Sequence, residues 1–445
     1  MARARWIGLL LILASAGISI LWALDLERSP SGGMADFKAV YYGARCLIQH
    51  SDPYIEGDFL RVYRAEGGEF PSDPAMLRIF RRAVPVCINL PTTLFLAAPF
   101  SLLAWGPAHL LWMLLLASSL ILAAVLVWDL AENYAPRVSL FLICLVLANS
   151  EVLLAYGNTA GIAVSLCAVA VWCFLKGRFV SAGVLCLAVS LAIKPHDAGL
   201  VWIYFLLAGG VFRKRALQAL VVAVVFALPS VLWVSHVSPH WMQELHTNLA
   251  ATSARGDLRD PGPASISIRN PNMVIDLQTV ISVFKDNPRF YNPVSYLICG
   301  TLLAAGAVRT LRSSFSPERA WIALAAIVPL TMLVTYHRPY DAKLLLLTVP
   351  ACAMLWAEGG RIGRFALLVN ATAMVMTGDI PLAIFVILTR NLHVDASAIF
   401  GQILTVALMR PVPLILLAMG IFYLWVYVRR AIPDTQTRIV QMVDK

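Results

Sequence analysis

Three stretches gather side chains whose types and spacing suit chemistry. In the first, residues 33–54, the residues Phe37, Val40, Tyr41, Ala44, Leu47 and Ile48 recur at the i, i+3, i+4, i+7 spacing of one helical face. Ser31-Gly32-Gly33 serves as the opening turn of that amphipathic helix and Ser51-Asp52-Pro53 as its stop. Asp36 then sits in the first turn. A carboxylate there is a helix cap favoured by the backbone dipole, or, on a helix at a membrane surface, the first suspect for chemistry. The second stretch is Lys194-Pro195-His196-Asp197 at the end of an apolar run. Its lysine either snorkels to the headgroups or supplies a point charge for a phosphate, with His196 as a second donor. The third is Tyr336-His337-Arg338-Pro339-Tyr340-Asp341-Ala342-Lys343. Arg338 suits bidentate contact with phosphate oxygens, and Asp341 either orients it or binds a hydroxyl. The plain alternative is an interfacial belt of tyrosines and cations.

The elements that must position these stretches are membrane helices. The chain has 445 residues, 60% hydrophobic and 13% charged, against about 25% charged in soluble domains. Apolar runs of about 20 residues recur throughout, so we expect one integrated, all-α polytopic membrane protein over 1–445 and no separate soluble domain. The net charge of +10 comes from basic clusters in short connections, not from a nucleic-acid-binding surface. An uncleaved first span covers 7–24, preceded by Arg3 and Arg5, with its N-terminus cytoplasmic. Residues 25–84 form the first outer excursion, with eight cations against nine carboxylates. Basic connections at 176–178, 213–215, 309–319, 361–364 and 429–430 read as cytoplasmic, the last opening a cytoplasmic tail over 429–445. Alternation then puts 157–158, 194–197, the long loop 236–292 and 336–343 on the same outer side as 25–84.

Counting apolar segments gives about 12 crossings once 91–105, with Pro91 and Pro99, is taken as re-entrant or lying along the membrane face. A break is expected at Gly378-Asp379-Ile380-Pro381. Glu151 and Asp379 are further ionisable residues within apolar segments, Glu151 expected to pair inside the bundle. The eight cysteines show no CxxC pair and no zinc-type spacing, though Cys46 and Cys87 can both face an oxidising compartment and join. No Walker loop, GxGxxG after a strand, HExxH or GxSxG occurs. Matching broken helices in two halves, a transporter sign, are also not evident.

The order of motifs resembles the GT-C superfamily of polyprenyl-phosphate-dependent glycosyltransferases, and more closely glycosyltransferase family 87, the bacterial mannosyltransferase-like group. The resemblance rests on Asp36-Phe37 followed by Tyr41-Tyr42 and Ala44, and on Asp52-Pro53-Tyr54. It continues through Leu90-Pro91 with Pro99, Gly157-Asn158 (where the family usually has Gly-Gln), Ala182-Gly183 opening the helix that ends at Lys194-Pro195, residues 270–277, and the His337 to Asp341 cluster. It implies a GT-C-type bundle in the bacterial inner membrane with its active site on the periplasmic side. It also implies a polyprenyl-phosphate sugar donor entering from the lipid bilayer and a glycolipid or glycan acceptor. In this resemblance Asp36 is the general base. Lys194, His196 and Arg338 hold the donor phosphate, and Tyr41, Tyr42, Asp52, Tyr54, Asn158, His337 and Asp341 line the sugar and acceptor sites. The transferred sugar is expected to be mannose, with an arabinofuranosyl or other pentosyl group as the rival, and neither a cofactor nor an obligatory metal is expected. A transporter or flippase for a lipid-linked solute is the reading from a different class.

Overall fold

A computed structural model describes residues 2–28, 33–266, 273–392, 394–395 and 397–430. The expected opening turn at Ser31-Gly32, the stretch 267–272 and most of the expected tail, 431–445, lie outside the described residues. Every regular element among the described residues is helical. The N-terminal part holds α1 (Ala2–Arg28), α2 (Ala35–Ile48), α3 (Glu56–Ala65), α4 (Pro74–Ala83), α5 (Pro91–Ser101) and α6 (Trp105–Ala131). The middle holds α7 (Pro136–Ala148), α8 (Glu151–Tyr156), α9 (Ala160–Lys176), α10 (Val180–Ile193), α11 (Pro195–Ala208), α12 (Gly210–Val237) and α13 (Trp241–Thr252). The C-terminal part holds α14 (Gln278–Phe284), α15 (Pro288–Leu311), α16 (Pro317–Val334), a 3-10 helix (Asp341–Thr348), α17 (Val349–Glu358), α18 (Gly360–Met376), α19 (Asp379–Thr389), α20 (Ile399–Met409) and α21 (Pro411–Arg429).

By length and apolar composition seven helical segments can cross a membrane, or eight if the bent pair α18 and α19 forms one span. The expected count of about 12 is not reached. The reason is that a run can be apolar because protein covers it. The run 343–357 splits into the 3-10 helix and α17, and Leu344 to Leu347 are buried in the bundle rather than facing lipid. Helices α10 and α11 have 14 residues each, about 21 Å of helix against a hydrocarbon layer of about 30 Å. Helix α5 has 11 residues, carries Pro99 inside it and is shorter still. The break expected at Gly378-Asp379 is present as a 72° bend between α18 and α19.

The largest apolar cluster runs from Ile12 to Tyr427, so both ends of the chain share one core. Helix α16 lies at its centre, packed against α21 and the 3-10 helix. A second cluster joins α2, α3 and α6 through aromatic pairs: Phe37 stacks 4.5 Å from Trp112, and Tyr42 meets Tyr63 edge to face at 4.7 Å, between ring centroids. Helix α2 is therefore buried on more than one face, including Ala39, Tyr41, Tyr42 and Cys46, not laid along a surface by a single apolar stripe. Cys46 and Cys87 are buried free thiols.

Candidate active site

The site begins at the turn between α8 and α9. Gly157 closes α8 in the left-handed region, at φ 64°, where glycine carries no steric penalty. Its carbonyl accepts Trp112 Nε1–H at 2.8 Å. The adjacent Ala155 carbonyl accepts the Met34 N–H at 2.6 Å, which ties the start of α2 to the end of α8. A Cβ at residue 157 would lie 2.8 Å from Phe37 Cβ and 2.3 Å from Met34 Sδ. Gly157→Ala therefore combines a strained φ with a collision against the start of α2. We expect a stability loss of about 1–3 kcal/mol and a larger fractional loss of activity, read by thermal unfolding beside initial rates. Unchanged values of both would mean α2 is not held by this turn.

That turn also presents Asn158. Its Oδ1 accepts the Ala160 N–H at 2.8 Å, and this fixes the amide so that Nδ2 donates to Asp36 Oδ2 at 2.6 Å. Asp36 does not cap its own helix, because the N-cap position is Met34 and no side chain caps it. Asn158 thus stands against the carboxylate and orients it. Burial pushes the Asp36 carboxyl above its ordinary value; the Asn158 hydrogen bond and the charges of Arg338 and Lys194 oppose the rise without cancelling it.

The cations come from two other elements. Lys194 terminates α10, where Pro195 begins α11. Its Nζ donates to Asp341 Oδ1 at 2.6 Å and stands 5.4 Å from the centre of the Tyr340 ring. Asp341 Oδ2 accepts the Arg338 backbone N–H at 2.7 Å, so one carboxylate, only 1% exposed, positions both cations. The Arg338 guanidinium bonds the Tyr336 hydroxyl, and its Nη2 donates to the Leu258 carbonyl at 2.9 Å. The segment 335–340 is fixed from behind by the Ile275 N–H, which donates to the His337 carbonyl at 2.9 Å. The loop after α13 adds Arg259, its guanidinium 4.0 Å from the centre of the Tyr336 ring.

The imidazoles of His196 and His337 meet edge to face with ring centroids 4.9 Å apart, both beside Asp197. Burial pushes His196 down to about 3, so it is neutral at physiological pH. For His337 burial also opposes the charge, but the Asp197 and Asp341 carboxylates outweigh it and hold the pKa above the ordinary value.

Asp36, Asn158, Lys194, His196, His337, Arg338 and Asp341 are thus gathered at one end of the bundle from four chain segments. The remaining expected residues lie elsewhere. Tyr41 OH donates to the Leu103 carbonyl at 2.8 Å, and Tyr42 packs among Tyr63, Phe59 and Trp105. Tyr54 OH donates to the Asn89 carbonyl at 2.9 Å, while Asp52 accepts the Tyr54 N–H at 2.8 Å. Asn248 of α13 donates to the carbonyls of Tyr54 and Cys87, both at 3.0 Å, so this part anchors the long loop. Lys343 turns inward to the Asn149 carbonyl and stands 3.8 Å from Asp379, whose carboxylate accepts the Val152 N–H at 3.0 Å. Asp197, Tyr336 and Arg259 also enter the site, none of them given a role there from the sequence.

The molecule is a polytopic helical membrane protein with a carboxylate and fixed cations converging at one end. The sequence model of glycosyltransferase family 87 matches residues 88–336, more than half of the chain, and the chain belongs to that family. It is a membrane glycosyltransferase. Asn158, Lys194 and His196 fall inside the matched region, whereas Asp36 precedes it and His337 to Asp341 follow it. No curated protein and no solved structure matches the chain.

Proposed function

We propose that the chain transfers a sugar, mannose first, from a polyprenyl-phosphate donor to a hydroxyl of a glycolipid or glycan, on the periplasmic side of a bacterial inner membrane. The observation that carries this reading is the placement of a buried carboxylate, Asp36, close enough to Arg338 and Lys194 for their charges to act on it. A hydroxyl acceptor is a weak nucleophile and needs a base at hydrogen-bond distance. Asp36 takes the hydroxyl proton as the oxygen attacks the sugar C1. The bond from C1 to the phosphate oxygen breaks, and its electron pair leaves with the polyprenyl phosphate. Lys194 and Arg338 stabilise that developing charge from fixed positions, and neutral His196 adds a hydrogen bond. A single displacement inverts the anomeric centre, turning a β-linked donor into an α-linked product.

The experiment is transfer from a panel of radiolabelled polyprenyl-phosphate sugars by purified protein in lipid. Mannose is expected to transfer fastest. Faster pentose transfer would replace the sugar assignment, and transfer from none of the lipid-linked donors would overturn the donor class.

The acid limb of the rate profile is a further prediction. Only ionised Asp36 is a base, so activity rises with pH through its folded-state pKa. Burial places that limb above the ordinary carboxylate range. Asn158→Ala removes a contact that favours the charged form. It should move the limb further upward and lower the plateau. A limb in the ordinary range for the wild type, or one that Asn158→Ala leaves in place, would contradict the assignment.

A further inference from the structure

We propose that His196, Asp197 and His337 form a binding site for a divalent transition-metal ion of the zinc type. Among the described residues this is the one group of three potential ligands close enough to share an ion. Two imidazoles and one carboxylate are a donor set that suits such ions, and three protein ligands leave a further position open.

The argument starts from Asp197. Its side chain is 1% exposed, and among the described residues neither carboxylate oxygen accepts a hydrogen bond. A buried carboxylate is costly unless donors or a cation compensate it. Its neighbours are ion-pair partners that lack hydrogen-bond geometry: His337 Nε2 stands 3.2 Å from Oδ1, His196 Nε2 stands 3.8 Å from Oδ1, and Lys194 Nζ stands 3.9 Å from Oδ2. The first of these is short enough for a hydrogen bond, yet His337 Nε2 is also unbonded among the described residues. The three side chains are spaced as ligands of one ion would be.

The spacing fits. With ligand distances of about 2.0–2.2 Å, tetrahedral zinc separates its ligand atoms by about 3.3–3.5 Å. The two contacts to Asp197 Oδ1 bracket that value, and all three ligand atoms lie within 4.8 Å of one another. His196 is the most open of the three, with its side chain 32% exposed, so it has room to close the widest edge and leaves a path for the ion.

The surroundings support the same assignment. His337 Nδ1 lies 2.8 Å from the Thr335 carbonyl, which can only accept, so Nδ1 carries a proton and Nε2, toward Asp197, is the atom that can ligate. His196 is neutral. The nearest cation, Lys194, is compensated by Asp341 at 2.6 Å. The competing arrangement is a second proton on His337, making an imidazolium beside Asp197.

Metal content tests this without any sugar substrate, so its outcome is separate from that of the transfer reading. Purified protein in detergent is stripped with a chelator, loaded with Zn2+, washed, and its zinc measured by elemental analysis. The wild type should retain about one ion per chain, and Asp197→Ala should lose it. His196→Gln, at the half-exposed ligand, is the variant expected to keep its fold, and its zinc retention should fall at least about tenfold. Loading with Co2+ should give the visible absorption of a low-coordinate site in the wild type alone. Equal zinc in wild type and His196→Gln, or no retained metal in the wild type, would overturn the site and leave the imidazolium arrangement.

Discussion

Asp36→Asn should abolish sugar transfer while the protein folds, inserts and binds donor. The substitution keeps the shape of the side chain. Its amide oxygen can accept from Asn158 Nδ2, which now bonds Asp36 Oδ2 at 2.6 Å, so the local geometry survives. What is lost is the ability to take a proton. General-base catalysis contributes about 10²- to 10⁴-fold, and the rate should fall by that factor. Thermal unfolding should change little, because the carboxylate is destabilised by burial in the native state and an uncharged amide removes that cost. Donor affinity, read by equilibrium binding of the polyprenyl-phosphate sugar, should stay within a few fold, since Lys194 and Arg338 remain. Initial rates with radiolabelled donor decide the matter. Transfer at near wild-type rate would remove Asp36 from the reaction and leave it as a buried partner of Asn158.

The parts of this site that were legible in the sequence are those carried by charge. Asp36, Lys194 and Arg338 stood out because ionisable residues beside apolar runs are expensive, and counting basic connections placed all three on one side of the bundle. The helix around Asp36 was legible from its period, with the observed α2 at Ala35–Ile48 inside the stretch marked by turn residues. What periodicity could not convey was its surroundings. The tyrosines 41, 42 and 54 share the composition of a sugar-binding surface, yet their hydroxyls and rings face other helices and carbonyls of the scaffold. An aromatic residue reads the same whether it faces a ligand or a neighbouring helix. Asn158 was visible beside Gly157, but its hydrogen bond to Asp36 crosses 122 positions and depends on a left-handed glycine between α8 and α9. Arg259 lies in a long loop whose sequence carries no period, and only its stacking over Tyr336 brings it to the site. The expected span count is not confirmed for a related reason. Apolar composition records exclusion from water, and the 3-10 helix Asp341–Thr348 is excluded by protein rather than by lipid.

Lys194→Met should damage both stability and turnover, and the two effects can be separated. Lys194 and Asp341 are a buried pair at 2.6 Å, with side chains 16% and 1% exposed. Removing the ammonium leaves Asp341 with the Arg338 backbone N–H at 2.7 Å as a remaining hydrogen bond and strips Asp197 of a neighbouring charge. Breaking a buried pair from one side costs about 3–5 kcal/mol. The thermal midpoint should fall accordingly. Adding Asp341→Asn removes the orphaned charge, and much of the stability should return, because a neutral pair avoids the desolvation of both ions. Activity should not return with it. Losing one preorganised donor at a leaving phosphate lowers turnover by about 10²- to 10³-fold, and neither Met nor Asn supplies a cation. Lys194→Arg, which keeps the charge, should retain part of the activity through a shifted guanidinium. Recovery of transfer in the Lys194→Met/Asp341→Asn double variant would reduce Lys194 to a structural ion-pair partner and leave Arg338 as the group on the departing phosphate.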